Sequence, residues 1–363
     1  MSILIFNAGS SSLKAKLFDK NLNVLKSFEV NRIGEAGAKT HQEAAKKILS
    51  ELKDEDFKVV GHRVVHGGEK YFKLTELNPK VIQDLKNLSI LAPQHNPQAL
   101  EVINTVKNKK QFALFDTGFF NDLPLEAKIY PLPYKYYKKE GIRRFGFHGI
   151  SHQYAAVQAS VQLGEDILNT NLITIHLGAG CSIAAISKGK PVDVSMGFTP
   201  LEGLMMMTRS GTIDPGIIFY LMDKKKMAPQ RIREVLEFES GVLGISQISS
   251  DMKDVMFVAG IRIEDEDEEY LPPKNVKCGP KEVKRANLAI EVFCRTIRKH
   301  VGAYCALLNN KVNALIFTGE IGYNSSLLRI KITKDLRINT LAIKPNEELA
   351  IANHIISLDE KNN

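Results

Sequence analysis

The sequence predicts an α/β protein built from two related domains, and three observations carry that expectation. A strand, a glycine-serine turn and a second strand open the chain within residues 2–18, and the same design returns from about Leu172 as ITIHLGAGCSIAAI. A third strand, ALIFT from Ala314, runs into the glycine loop GEIGYN. The 363 residues also exceed the length at which single hydrophobic cores stop growing, roughly 250–300 residues.

Residues 2–6 are apolar and β-prone, break at Asn7-Ala-Gly-Ser-Ser-Ser, and resume with alternating character over 13–18. A helix is expected over about 41–52. A strand follows at Val59-Val60-Gly-His-Arg-Val-Val and ends in a glycine-rich turn; residues 111–114 form another, with Asp116 at its end. The strand from Ala314 leads to a helix over 325–330, and residues 347–354 begin a helix that returns to the first domain. The expected domains are 1–152 joined by the C-terminal helix of about 347–363, and 153–346. Open α/β sheets bind ligands at the carboxyl ends of their strands, so the chemistry is expected in the loops that follow these strands.

With 44% hydrophobic and 25% charged residues the composition is that of a globular protein. The opening apolar run is too short for a membrane span and lacks the flanks of a signal peptide, which points to the cytoplasm. Cys181, Cys278, Cys294 and Cys305 form no C-x-x-C pair, so reduced thiols are expected rather than disulfides or zinc. The net charge of +8 comes from dispersed lysines with no aromatic-basic motif; it argues for an anionic small substrate and against nucleic acid. The acidic run Glu264 to Glu269 reads as a solvated loop, because it lacks the glycine and spacing of a calcium site.

The turn Asn7-Ala-Gly-Ser10-Ser-Ser12-Leu-Lys14 offers amides, hydroxyls and one ammonium to a phosphate, although a plain hairpin reads the same and no Walker loop is present. HRVVHGG at His62 and MTRSGTIDPG at Met207 each set an arginine, Arg63 and Arg209, beside glycine-rich turns. Guanidinium binds carboxylate or phosphoryl oxygens bidentately, as phosphoryl transfer demands; a surface salt bridge is the plainer use. Asp116 at a strand end can hold magnesium, orient the transferring group, or cap a turn. In FGFHGISH, His148 and His152 stand four apart, but Gly149 and the missing glutamate favour charge stabilisation by imidazole over zinc ligation.

The strings NAGSSSLK, GHRVVHGGE, LAPQHNP, FDTGF, GIRRFGFHGISH, VDVSMGFTPLEGLMMMTRSGTIDPG, SGVLGISQISSDMKD and PNEELAIA resemble, in order and over nearly the whole chain, the signatures of the acetate kinase family of short-chain acyl kinases. The resemblance implies a duplicated actin-like (ribonuclease H-like) α/β fold with a cleft between two domains, a homodimer, Mg2+ (or Mn2+), and ATP as co-substrate. It also implies reversible phosphorylation of acetate to acetyl phosphate by direct in-line transfer. Position by position, it implies that Asp116, Arg209, His148 and Arg63 are catalytic, with His148 and Arg209 stabilising the transition state. Arg63, Val65, Gln94, Phe147 and Pro200 would bind the acid, and Asn7 and Glu347 the metal. The nucleotide and its phosphates would fall to Asn7, Ser10, Ser12, Lys14, His176, Gly178, Gly180, Asp251, Met252, Lys253, Gly319, Glu320, Ile321, Gly322 and Asn324.

The chain departs from the family pattern chiefly on the nucleotide side. Ala179 replaces an asparagine, Glu320 puts a carboxylate where glycine is usual, and Tyr323 lies in the same loop; Gln94 replaces leucine in the acyl pocket, and Phe120 stands where a histidine is common. An anion beside phosphates is unfavourable unless Glu320 points away or the donor differs. Two readings follow. One is an active kinase for acetate, or for propionate or butyrate, with ATP or another donor. The other is a paralogue that binds acyl phosphate with weak turnover. Retention of Arg63, Asp116, His148, Arg209 and Glu347 favours the first.

Overall fold

The structure is a computed structural model that describes residues 2–34, 38–261, 270, 273 and 276–362; the acidic run Glu264 to Glu269 lies outside them. One sheet contains β1 (Ile3–Ala8), β2 (Leu13–Phe18), β3 (Val24–Val30), β4 (Val59–Val64), β5 (Thr75–Glu76) and β6 (Lys110–Phe115), in the order β3-β2-β1-β4-β6-β5. The other contains β7 (Asn171–Leu177), β8 (Cys181–Ser187), β9 (Lys190–Val194), β10 (Ala314–Thr318) and β11 (Thr340–Ala342), in the order β11-β10-β7-β8-β9. In the first, β1, β2 and β3 form an antiparallel meander, and β4 then β6 add in parallel on the far side of β1. In the second, β7, β8 and β9 form the meander, and β10 then β11 add in parallel beside β7. The repeat visible in the sequence is thus a repeat of sheet topology, extending to strands that the sequence pattern did not mark.

The helices in chain order are α1 (His41–Glu51), α2 (Pro79–Asn87), α3 (Asn96–Thr105), α4 (Leu125–Lys128), α5 (Tyr134–Glu140), α6 (Gly149–Leu163) and α7 (Gly216–Lys225). They continue as α8 (Pro229–Phe238), α9 (Gly241–Ser246), α10 (Met252–Val258), α11 (Pro280–Leu307), α12 (Gly319–Asn324), α13 (Ser326–Thr333) and α14 (Glu347–Asn362). Local chemistry starts several of them: Thr40 caps α1, Asn78 caps α2 ahead of a proline, and Ser325 caps α13. The expected 325–330 helix is α13, which starts one residue later and runs on to Thr333, while the glycine loop before it coils into the short helix α12. No helix among the described residues is long and apolar enough to cross a membrane.

Packing divides the chain into two compact units. One holds Met1–Asp122, Phe147–Tyr154 and Asn346–Asn363; the other holds Leu123–Gly146 and Ala155–Pro345. The division differs from the 1–152 and 153–346 expectation chiefly in residues 123–146, which group with the second unit; the boundaries elsewhere shift by one or two residues, to 154 and 346. The reason is Arg144, whose Nη1 donates to the carbonyls of Val194, Ser195 and Met196 and whose Nη2 pairs with Glu202 at 2.8 Å.

Strand alternation explains how the first unit is filled. Cross-strand partners share a face, so Ile3, Ile5 and Asn7 of β1 lie with Phe18, Lys16 and Lys14 of β2, and with Val59, Gly61 and Arg63 of β4. On that face Ile3, Ile5, Phe18, Val59, Phe112 and Leu114 pack against Ala350, Ile351, Ala352 and Ile355 of α14. The opposite face, with Leu4, Phe6, Leu13, Ala15 and Leu17, packs on α1 and α3 through Ala44, Ile48, Ala99 and Val102. On the α14 face β1 and β4 therefore read apolar, then small or apolar, then polar toward their carboxyl ends, and β6 runs through Phe112 and Leu114 to Asp116 just past its end; the antiparallel β2 reads the other way, from Lys14 and Lys16 to Phe18.

Candidate active site

In the first unit the polar ends of three neighbouring strands converge. Asp116, directly after β6, is 0% exposed. Arg63 of β4 grips it with Nε at 3.2 and 3.1 Å and with Nη2 at 2.6 Å, while Nη1 donates to Asn7 Oδ1 at 3.1 Å. Asn7 Nδ2 donates to Glu348 Oε1 at 2.6 Å, and the other oxygen of Glu348 pairs with Lys16 Nζ at 3.0 Å. Burial drives the Asp116 carboxyl above its ordinary range against the pull of Arg63, and Glu347 pushes the same way. Burial opposes the charge on Arg63, but Asp116, with Glu347 and Glu348, outweighs it and raises the guanidinium. Of the five N–H groups a guanidinium carries, Nε, one on Nη2 and one on Nη1 are engaged among the described residues, which leaves one on each Nη for another oxygen.

His148 sits just before α6 with a left-handed backbone, φ 58°, and its carbonyl accepts from His152. Gly149 follows; its N–H donates to the Asp116 carbonyl at 2.9 Å, and a side chain there would start 2.2 Å from that oxygen. Only glycine lets the His148 backbone come this close to Asp116. The two histidines are therefore not one helical pair, and among the described residues no group of three or more histidine, cysteine or acidic side chains is arranged to hold a metal. Val65 and Phe147 are buried, with Phe147 edge-on to His66 at 5.5 Å. The loop that carries Val65 is held by the Asn96 amide, which accepts from His66 N–H and donates to the His66 carbonyl, both at 3.0 Å. Gln94, half-buried, lies two residues before that amide.

The turn between β1 and β2 closes with Gly9 N–H on the Ser12 carbonyl at 2.8 Å and leaves Ser10 exposed. Lys14 is not drawn into the Asn7 network: it pairs with Glu29 of β3 at 3.5 Å, both side chains about half exposed at 45% and 49%.

In the second unit His176 of β7 lies beside Thr318 of β10. The turn after β7 is tied by Gly178 N–H to the Gly180 carbonyl at 3.1 Å and by Cys181 Sγ, which donates to the Gly178 carbonyl at 3.3 Å. Burial pushes the Cys181 thiol up to about 12, so it remains a thiol and serves the turn. Ala179 contributes its backbone, accepting from Met207 N–H at 3.3 Å, and so joins this turn to the loop of Arg209. Arg209 donates from Nη1 to the Pro200 carbonyl at 3.4 Å. Burial lowers its pKa, partly offset by Glu237.

Gly319 joins β10 to α12 at φ 76°, with its Cα against the backbone of Leu177, and Gly322 is buried. Glu320 and Asn324 are exposed, Ile321 and Tyr323 half-buried. Asp251 caps α10, accepting from Lys253 N–H at 2.8 Å; Met252 is buried, and Lys253 Nζ lies 5.8 Å from the Tyr270 ring.

Sequence reasoning missed Lys16, Glu348 and Asn96, which hold the groups it named. Only the alternation of β2 hinted at Lys16. It also missed a cluster in the second unit, where Tyr130 donates to Glu202 and accepts from Phe198 N–H at 2.8 Å while Arg144 braces the same loop.

A profile of the Acetokinase family matches residues 2–362. The acetate kinase of Acetivibrio thermocellus is 38% identical, with 99% of each chain covered, and acetate kinase 2 of Clostridium perfringens is 36% identical, covering 99% of this chain and 100% of that one. Among solved structures, Porphyromonas gingivalis acetate kinase superposes with a TM-score of 0.83 at 33% identity, covering 98% of this chain and 99% of that one. A Francisella tularensis propionate kinase gives 0.85 at 32% identity over 97% and 98%. Sequence match from end to end, together with the mixed α/β, two-sheet architecture those structures share, means that the chain belongs to the acetokinase family.

Proposed function

We propose that the chain is an acetate kinase, transferring the γ-phosphoryl group of ATP reversibly to acetate to give acetyl phosphate and ADP, by direct in-line displacement. The observation that carries this reading is the convergence of Asn7, Arg63 and Asp116 at adjoining strand ends, with guanidinium N–H groups still uncommitted. A carboxylate oxygen bonds to the γ-phosphorus as the bond from phosphorus to the bridging oxygen breaks. The attacking carboxylate carries no proton, so no general base is needed; the barrier is the approach of two anions. Arg63, with Asp116 fixing its plane, takes the acid's carboxylate. Arg209 and His148 stabilise the charge on the moving phosphoryl group, and Val65, Phe147, Gln94 and Pro200 fit the acyl end. The turns at Ser10 to Ser12, at Gly178 to Gly180 and at Gly319 to Asn324, with His176, serve the phosphates and nucleotide.

The acidic groups suit a hard divalent cation. Glu347 is 9% exposed, its carboxylate makes no hydrogen bond among the described residues, and it lies where its charge bears on Asp116. Glu348 is committed on both oxygens to Asn7 and Lys16, so Glu347, together with the lone pair that Asn7 Oδ1 keeps beside its Arg63 contact, would hold Mg2+ (or Mn2+). Magnesium is held by one or two carboxylates together with substrate phosphates, so a three-residue protein cage is not required. When bound, the ion offsets charge on the phosphate oxygens.

The propionate kinase likeness and the polar Gln94 favour testing a second acyl specificity. Purified protein is assayed with hydroxylamine and Mg-ATP against acetate, propionate and butyrate, then with GTP and pyrophosphate. The expected result is acyl hydroxamate with acetate and ATP; none with any pair overturns the kinase reading.

We further assign a homodimer formed through α7. None of its residues is buried, yet Ile217, Phe219, Tyr220 and Met222 are exposed on it, Phe219 at 63%. The substrates are acetate and ATP or ADP, with no nucleic acid or membrane partner, and the location is the cytoplasm.

A further inference from the structure

We propose that Lys16 is a positioning residue for the reaction: acting through Glu348, it fixes which end of the Asn7 amide faces Arg63. This rests on the reading that Asn7 and Arg63 serve phosphoryl transfer. Lys16 stands opposite Ile5, two pairs behind Asn7 and Lys14 and so on the same sheet face, the one that α14 covers. Its ammonium reaches Glu348 Oε2 at 3.0 Å and Asn346 Oδ1 at 3.0 Å. Asn346 Oδ1 also accepts from Leu349 N–H at 3.3 Å, so one lysine ties the start of α14 to β2 and holds the carboxylate at its second residue.

The consequence runs through a side chain with two unlike ends. An amide donates from Nδ2 and accepts at Oδ1, whereas a carboxylate accepts and a guanidinium donates. Glu348 therefore turns Nδ2 of Asn7 toward itself at 2.6 Å, which leaves Oδ1 for Arg63 Nη1 at 3.1 Å. The reversed amide would set donor against donor at Arg63 and oxygen against carboxylate at Glu348. Glu348 is 3% exposed, so water does not replace Lys16 as its second partner. Without the ammonium, the carboxylate is free to rotate from Asn7, the amide loses the group that orients it, and Arg63 loses one of the contacts that set its plane. Lys14, two residues earlier, does none of this, because it pairs with Glu29 on the far side of β2.

The test uses full-length Lys16→Met, Lys16→Gln and Lys16→Arg, each alone and with Asn7→Ala. Lys16→Met is expected to lower kcat by at least about tenfold, a loss in keeping with displaced reacting groups. Lys16→Arg, which keeps the charge and a donor, restores most of it. In the Asn7→Ala background Lys16→Met changes kcat by less than about twofold, because the two residues act in series. Equal losses in both backgrounds, or a fall in thermal stability with kcat unchanged, overturn the proposal. A readout independent of turnover is the Asn7 side-chain amide in 15N-labelled protein, assigned by its loss in Asn7→Ser. Its resonances move in Lys16→Met and Lys16→Gln and return in Lys16→Arg; unmoved resonances overturn the role of Lys16, whereas wild-type protein inactive on every acid overturns the kinase reading alone.

Discussion

At the scale of single residues, chemistry rather than position decided what the sequence could reveal. Asn7, Arg63 and Asp116 stand out as polar groups ending apolar runs, and the structure brings these three into one bonded set. Glu348 was overshadowed by its neighbour Glu347, since two adjacent glutamates look alike in sequence and only their partners differ. Arg209→Ala is expected to lower kcat at least about a hundredfold if its half-buried charge serves the transition state; a near-normal rate removes it from the mechanism. Glu320 is exposed in the first turn of α12, so if the nucleotide binds at this loop, repulsion between the Glu320 carboxylate and its phosphates passes through solvent. Glu320→Gly is therefore expected to tighten ATP binding only about two- to fivefold at low salt, with the gain disappearing as salt is added. Calorimetry across a salt series decides it, and unchanged affinity at low salt shows that this carboxylate does not bear on the nucleotide.

At the scale of elements, strand period sorted roles that motifs left mixed. His62 and Arg63 are adjacent in one motif, yet alternation sends Arg63 to the α14 face and His62 to the opposite one, where it stacks on Phe6 at 5.8 Å and bonds Gln111 at 2.8 Å. Burial holds the His62 imidazole down at about 4, against an ordinary 6.5. Between those values the unfolded chain binds a proton that the folded chain excludes, so the stability is complete above 6.5 and is lost as pH falls toward 4. His62→Gln should remove about 3 kcal/mol of that dependence, seen as urea midpoints that differ less between neutral and acid pH. The junction of β10 and α12 is equally specific. A Cβ on Gly319 would lie 2.4 Å from the Leu177 carbonyl at φ 76°. Gly319→Ala is expected to destabilise by about 1–3 kcal/mol and to weaken nucleotide binding together with stability, as thermal melts and calorimetry would record.

At the scale of the whole molecule, the exposed apolar residues of α7 lead to a prediction about assembly. Phe219→Asp should convert a dimer to a monomer by light scattering, and an unchanged mass would remove α7 from the interface. The sequence by itself determined the α/β class, the duplicated strand-turn-strand design and the family, because period-2 alternation and ordered motifs are local properties of the chain. It also marked the strand-end residues, since an apolar run stops where a functional group begins. Tertiary structure alone decided that residues 123–146 pack with the second unit, because Arg144 answers carbonyls fifty residues away. It alone separated Lys16 from Lys14 and Glu348 from Glu347. Each pair has the same chemistry in sequence, and what differs is which buried partner lies within hydrogen-bond reach, a long-range fact that no local pattern encodes.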